Sequence, residues 1–209
     1  MEWDGDIHIA VCEGDSKDDT WERLLQWVTK DKRLRLVTYD LGMPKYGSIV
    51  NRDRFIVLAK VFNRALDQID LKEADWVLFV PFDVDYAPDV VKRLAAHDKD
   101  MVSPLTWIGN VFYDTWAMAE RGMPSLPWGN FSWEWAQTHL GNQLIEMDRL
   151  GGMVLMKADV LRAGCRYTEA EVDRGLSRCA REKGFRLWVD PTTHIYHPPF
   201  LQEERIYST

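Results

Sequence analysis

The run Trp76-Val77-Leu78-Phe79-Val80-Pro81-Phe82 leads straight into Asp83-Val84-Asp85, and no other stretch constrains the fold as tightly. A short apolar run bounded by charged segments reads as a strand buried on both faces of a parallel sheet. Residues i and i+2 of a strand point the same way, so Asp83 and Asp85 are expected to project together from its C-terminal tip. Open α/β sheets bind their ligands at that edge. Two adjacent carboxylates repel unless a cation lies between them, and oxygen donors suit magnesium or manganese. Such an ion would in turn hold a diphosphate. The competing reading is a solvated loop or helix cap, where most isolated Asp-x-Asp triplets occur.

The preceding chain supplies a matching framework. Ile7–Cys12 reads as a first strand, and Trp21, Leu24, Leu25 and Val28 recur at helical spacing behind an N-cap at Asp18 or Asp19. Leu34–Asp40 is a second strand, and strand-helix-strand over this length is a βαβ unit, so a parallel sheet is expected. Asp40 at the strand tip is a candidate to accept hydrogen bonds from a ribose or base, or else a turn cap. A long helix follows, with Phe55, Leu58, Ala59, Phe62, Leu66 and Ile69 on one face. Arg52 and Arg54 stand in its first turn against the helix dipole, either to meet an anionic ligand or in surface salt bridges.

Beyond the acidic pair, Pro88–His97 reads as a short helix and Asp100–Leu105 as a strand, with Ser103 and Pro104 suggesting an edge or an early end. The next forty or so residues are irregular and dense in aromatics, from Trp107 through Phe112, Tyr113, Trp116, Trp128 and Phe131 to Trp133 and Trp135. Rings beside Asn110, Asp114, Asn130 and Glu134 suit a sugar, whose C–H faces pack on indoles; the alternative is a second small core. Gly151-Gly152 opens a further apolar strand to Met156, the glycines permitting close backbone approach. Thr168 and Glu171 form a capping-box pattern for a helix ending at Gly184. Phe185–Asp190 is the last strand, followed by His194 and His197.

Composition narrows the class. A chain of 209 residues fits one domain with a sizeable core, and 46% hydrophobic with 28% charged residues excludes a disordered protein. No apolar run reaches the length of a membrane span, and the acidic N-terminus lacks the pattern of a signal peptide, so a cytoplasmic location is expected. Cys12, Cys165 and Cys179 are odd in number and lack zinc-site spacing, which suggests free thiols in a reducing compartment. A net charge of −7 argues against a large nucleic-acid surface.

Taken together, Asp83-Val84-Asp85 after its apolar strand resembles the D-x-D motif of GT-A glycosyltransferases. The stretch from Asp173 through Gly184-Phe185-Arg186-Leu187-Trp188-Val189-Asp190-Pro191 to His197 is similar to the end of many such domains, where an acid-bearing helix precedes a G-[FY]-x-[IL]-W-V-D-P strand. In that register Asp173 matches the acid of the E-D pair, Val172 replaces its glutamate, and His197 matches a metal-ligand histidine while His194 does not. The departure at Val172 leaves the carboxylate role to Asp173 or Glu171. Asn110-Val111-Phe112-Tyr113-Asp114-Thr115-Trp116 resembles the F-Y-D-T-W segment of fungal capsule-associated mannosyltransferases, relatives of the yeast mannan-polymerase subunits. Gly151–Met156 resembles the G-G-x-x-L-[IM] strand of the same branch.

The resemblance implies a single α/β GT-A domain over 1–209, with a mostly parallel sheet flanked by helices and the D-x-D at a strand end. Residues 1–105 would form the nucleotide-binding half and 106–209 the acceptor-binding and catalytic half. It implies a Mn2+ or Mg2+ ion held by Asp83, Asp85 and His197, and a donor nucleotide sugar, GDP- or UDP-linked, contacted by Asp40, Arg52, Arg54, Asp83, Gly152, Asp114 and Trp116. Asp173 or Glu171 would act at a hydroxyl acceptor, expected to be a glycan, with retention at the anomeric carbon. Competing classes are transfer to hydroxymethylated DNA bases, a non-catalytic carbohydrate-binding domain, and a nucleotidyltransferase. The last normally has a Gly-rich basic turn after the first strand, where this chain has Glu13-Gly14-Asp15-Ser16.

Overall fold

The structure is a computed structural model that describes residues 1–44, 46, 51–123 and 131–198. Trp128 and Asn130 of the aromatic segment lie outside the described residues. The chain divides into two compact units. The smaller holds Asp4–Ala74 and Tyr167–Val172; the larger holds Met1–Trp3, Asp75–Arg166 and the described residues from Asp173 onward.

The smaller unit runs β1 (Ile9–Glu13), α1 (Thr20–Lys30), β2 (Leu34–Thr38) and α2 (Arg52–Leu66). β1 and β2 pair in parallel with Ile9 opposite Leu34, and α1 is the crossover that a parallel pair requires. Strand alternation and helical spacing converge on one cluster, in which Val11, Leu24 and Leu34 are buried against Ile9, Val28 and Leu36. α2 opens at Asn51, whose side-chain oxygen accepts from the backbone N–H groups of Asp53 and Arg54 at 2.7 and 3.2 Å. The side chain of Asn63 on α2 exchanges two hydrogen bonds with the backbone of Tyr167, which brings the 167–172 segment into this unit.

The larger unit contains β3 (Trp76–Phe79), β4 (Asp85–Tyr86), α3 (Val90–Ala96), β5 (Met101–Ile108), β6 (Val111–Phe112), β7 (Ala119–Glu120) and α4 (Trp133–His139). It continues with β8 (Ile145–Arg149), β9 (Val154–Lys157), α5 (Ala158–Arg162), α6 (Asp173–Glu182) and β10 (Leu187–Tyr196). The sheet order is β3-β9-β5-β10-β8-β7, with β4 also on β10 and β6 on β5. β5 and β10 run parallel and the remaining pairs of this sheet are antiparallel, so the sheet is mixed. Leu94, Val102, Met153, Leu155 and Ile195 are at the centre of one of its core clusters. No helix among the described residues is long and apolar enough to cross a membrane.

Four local expectations are corrected. β3 ends at Phe79 and pairs with β9 alone among the described residues, so it is not the doubly buried central strand that its apolar run suggested. Pro81 has no N–H to continue a ladder, and Phe82 and Asp83 form a turn that leaves Phe82 74% exposed. Asp83 and Asp85 therefore do not share one strand; Asp83 sits in the turn and Asp85 begins β4. Next, β5 is neither an edge nor short. Pro104 lies midway along it, tolerated because β9 pairs only with Met101 and Val102, and because β10 bulges opposite, moving from Asp190 at Pro104 to His194 at Leu105. The adjacent Ser103 hydroxyl donates towards the Met153 and Gly151 carbonyls at 2.7 and 3.1 Å.

The capping box does not open α6. The Thr168 carbonyl accepts from Glu171 and Val172 N–H groups, closing a turn with Val172 at φ +45°, and the helix begins at Asp173. Finally, Cys165 and Cys179 form a disulfide and Cys12 alone is a free thiol, so the free-thiol argument for a reducing compartment falls. Their Cα atoms, 5.6 Å apart, are at a distance that a disulfide bridges without backbone movement. An odd cysteine count concealed the pair.

Candidate active site

The acidic turn and the C-terminal histidine meet through strand pairing. β4 runs antiparallel to the end of β10, with Asp85 opposite Tyr196 and Tyr86 opposite Ile195. The next residue, His197, is held by its backbone N–H donating to the Trp107 carbonyl at 2.7 Å. Its Nδ1 lies 2.7 Å from the Pro198 carbonyl oxygen, which can only accept, so Nδ1 carries a proton. Nε2 then faces Asp83 Oδ2 at 2.9 Å, across 114 residues of sequence. A metal-ligating histidine typically donates its other N–H to a carbonyl or carboxylate, which is the arrangement at Nδ1. Carboxylate oxygen with imidazole nitrogen suits Mn2+ better than Mg2+, which prefers an all-oxygen shell.

The fit is partial. Among the described residues no three His, Cys, Asp or Glu side chains stand close enough to hold an ion. The fold brings Asp83 to His197, and places Asp85 nearby through backbone register, with its side chain exposed.

Next to this pair is a buried carboxyl. Tyr113 packs on the His197 ring with centroids 4.7 Å apart, and the following Asp114 is 9% exposed. Burial pushes Asp114 up to about 6; the Thr106 hydroxyl and the charge of His197 pull it down, while Asp83 raises it. Neither Asp114 Oδ2 nor Thr106 Oγ1 makes a hydrogen bond of acceptable geometry. Gly152 borders both oxygens. At φ +64° it occupies the left-handed region, and an added Cβ would stand 2.6 Å from Asp114 Oδ2 and 2.9 Å from Thr106 Oγ1. A Cβ on Gly151 would overlap that of Ala117. The glycine pair thus brings the backbone up to the Asp114 loop.

Many of the aromatic residues form the second core that was the alternative reading. Trp107 is fully buried, with edge contacts to Phe112, Phe131 and Trp133, and Phe112 stacks on Phe131 at 4.7 Å. The Trp107 indole donates to His194 Nδ1 at 2.8 Å. Burial and the charge of Arg93 push His194 down to about 4, so it is a neutral acceptor committed to this core. Trp116 is half-buried, with the Arg174 guanidinium 5.3 Å from its ring centre. Asp173, half-buried, opens α6, whose Ser177 hydroxyl accepts from the Leu150 N–H just before the glycine pair.

The remaining candidates belong to the smaller unit. Asp40 is exposed and accepts from the Asp15 N–H at 3.2 Å, while the Asp15 carboxylate accepts from the Leu41 and Gly42 N–H groups. That is the turn-cap role weighed above. Arg52 is exposed and Arg54 half-buried in the first turn of α2, and Glu171 is half-buried in the turn before Val172. Sequence reasoning missed Thr106 and Arg174. A lone threonine within an apolar strand and one arginine on a charged helix carry no spacing signal; only the sheet and α6 bring them to Gly152 and Trp116.

No family profile matches the chain, and no curated protein matches it in sequence. Solved structures do match. One is the crystal structure of GalNAc-T7 with UDP, GalNAc and Mn2+, which aligns over 93% of this chain at a TM-score of 0.56 and 12% identity. The chain spans 38% of the length of that protein. The expected architecture is thereby found: this chain has the α/β fold of the GT-A glycosyltransferases.

Proposed function

We propose that the protein is a metal-dependent glycosyltransferase that moves a sugar from a nucleoside-diphosphate sugar to a hydroxyl acceptor. The observation that carries this reading is the meeting of Asp83 with His197 beside the buried carboxyl of Asp114, at strand ends of a GT-A fold. The aligned GalNAc-T7 structure contains a nucleotide, a sugar and Mn2+, which supports the same ligand classes here.

In this reading Asp83 and His197, with Asp85, hold Mn2+ or Mg2+, and Asp40, Arg52 and Arg54 serve the nucleotide. When bound, the ion supplies Lewis-acid neutralisation of charge on the leaving diphosphate. Gly152, Asp114 and Trp116 receive the sugar. Asp173 orients or deprotonates the acceptor hydroxyl, Glu171 being the second carboxylate proposed for that role. Asp173 is the acidic residue in the first turn of α6, where the helix dipole favours a negative charge. The mannosyltransferase branch and a retaining outcome rest on the Asn110–Trp116 and Gly151–Met156 resemblances, and the aligned structure does not support that branch.

The test is thermal stabilisation by UDP and by GDP, each with and without Mn2+, on wild type, Asp85→Ala and His197→Ala. The expected result is a metal-dependent shift with one nucleotide that both variants lose. No shift with either nucleotide sinks the transferase reading.

A further inference from the structure

Glu146 and Asp148, two residues apart on β8, line a pocket of about 260 Å3 that the proposed reaction does not use. Alternate residues of a strand project to one side, so their carboxylates share a face. Three arginines meet them there: Arg121 just after β7, Arg181 on α6 and Arg186 just before β10. Arg186 grips Glu146 through Nε and Nη2 at 2.9 and 2.8 Å, and Arg121 Nη1 donates to the same carboxylate at 2.6 Å. Arg181 Nη2 pairs with Asp148 at 3.0 Å. The bonds from Arg186 and Arg121 hold the Glu146 carboxyl at about 2, so it is ionised near neutral pH. Leu187, where β10 begins, lines the same pocket, whereas His197 follows the far end of that strand.

The charges are layered. The Glu146 and Asp148 side chains are 21% and 16% exposed, against 62%, 46% and 57% for Arg121, Arg181 and Arg186. A solute entering the pocket therefore meets guanidinium before carboxylate. Three guanidiniums against two carboxylates leave the lining at +1, in a chain whose net charge is −7. Asp100, which accepts from the Arg186 backbone N–H, does not line the pocket. Donors are in surplus too. A guanidinium has five N–H groups, and among the described residues the Arg121 and Arg181 side chains each commit a single nitrogen. Exposed ion pairs are weak, so turning one fork towards a ligand costs little. Forked donors with an uncancelled positive charge suit the oxygens of a phosphate or carboxylate. A cation would be repelled at the rim, and a neutral solute would leave the charge unmatched. The volume is near the lower end for ligand pockets, room for an oxyanion on a small polar body.

We propose that Arg121, Arg181 and Arg186 form an oxyanion-binding site at the end of β10 remote from His197, for a phosphate or carboxylate group that is either free or carried by a sugar. Glu146 and Asp148 are positioning residues that hold the guanidiniums in place. The site does not depend on the glycosyltransferase reading.

The experiment is calorimetric titration and thermal melting without divalent metal, at ionic strength held constant with sodium chloride. The probes are inorganic phosphate, glucose 6-phosphate and glucuronate, with glucose as the neutral control. The proteins are wild type, Arg121→Gln, Arg181→Gln and, as a charge-matched control, Arg23→Gln on the exposed face of α1. At tenfold excess over its dissociation constant, an anion should raise the wild-type melting temperature by about 3–6 °C, and glucose should not. Arg121→Gln and Arg181→Gln should each weaken binding about tenfold or more, while Arg23→Gln binds as wild type does. A sugar anion binding about tenfold tighter than phosphate assigns the site to an acidic sugar; equal affinities assign it to a free oxyanion. The inference is overturned if no anion stabilises the protein beyond sodium chloride, or if glucose does so equally. It is also overturned if the two pocket variants bind as wild type does, which would place the anion elsewhere, or if Arg23→Gln weakens binding as much as they do.

Discussion

Replacing Asp190 with alanine tests whether a carboxylate remote from the acidic turn sets the geometry of the candidate site. Asp190 is 2% exposed and accepts from Thr193 Oγ1 at 2.6 Å, Thr192 Oγ1 at 2.7 Å and the Thr192 N–H at 2.8 Å, with His97 Nε2 at 3.0 Å. These bonds tie down the bulge that separates the Pro104 register from the Leu105 register of β10. Downstream of that bulge, β10 meets β4 and delivers His197 to Asp83. Removing one partner from a buried charged network costs about 3–5 kcal/mol. At about 2–4 °C per kcal/mol for a chain of this size, the melting temperature should fall by roughly 6–20 °C in calorimetry near neutral pH. The metal-dependent nucleotide shift should weaken as well, because His197 loses its register.

The pH dependence supplies an independent check. Burial alone would raise the Asp190 carboxyl, but the hydrogen bonds overcome it and hold the group at about 2, below its ordinary 3.8. A depressed folded value means that the contribution is present above the unfolded pKa and is lost as pH falls towards the folded one. At about 1.4 kcal/mol per pH unit, it is worth roughly 2 kcal/mol. The stability gap between wild type and Asp190→Ala should therefore narrow by about that amount between pH 5 and pH 2. A gap that does not change with pH, or a melting shift under about 3 °C, would refute the role assigned to this carboxylate.

Three further outcomes are expected. Asp114→Asn should stabilise the metal-free protein at pH 7: a carboxyl raised to about 6 costs stability as pH climbs from 3.8 to 6, roughly 3 kcal/mol in all, and denaturant melts of the variant should lack that decline. The same substitution should abolish sugar transfer, and full activity in it would remove Asp114 from the sugar pocket. Gly152→Ala should lose about 2–4 kcal/mol in urea unfolding, from the left-handed backbone and the crowding against Asp114 and Thr106; an unaffected midpoint would show that the loop yields. Alkylation of the denatured, unreduced chain should label Cys12 alone and after reduction all three cysteines, while in the native protein Cys12 should react slowly because burial pushes its thiol up to about 11. Three labelled cysteines without reduction would exclude the Cys165–Cys179 bond.

What the chain reveals without its structure is local. The β1-α1-β2 unit was legible because Val11, Leu24, Leu34 and their neighbours repeat at the two backbone periods, which act over a few residues. The Asn51 cap escaped notice, but α2 itself did not. Misreadings fell where a distant partner overrides a local rule. Pro104 signals an edge until the bulge on β10 accommodates it, and the apolar run at Trp76 signals a central strand although Pro81 ends it early. Thr168 and Glu171 match a cap but close a turn with Val172.

The candidate site divides in the same way. Asp83, Asp85, Asp114, Gly152, Asp173 and His197 were identifiable as chemistry-bearing residues by type, position and resemblance. That Asp83 faces His197 across 114 residues, that Asp114 is buried, and that the Thr106 hydroxyl stands beside it are decided by the tertiary fold, through strand register and the loops it positions. Side-chain type and periodicity are written residue by residue. Register is a collective property of hydrogen-bonded strands, set by the bulge that Asp190 holds, and it exists only once the chain has folded.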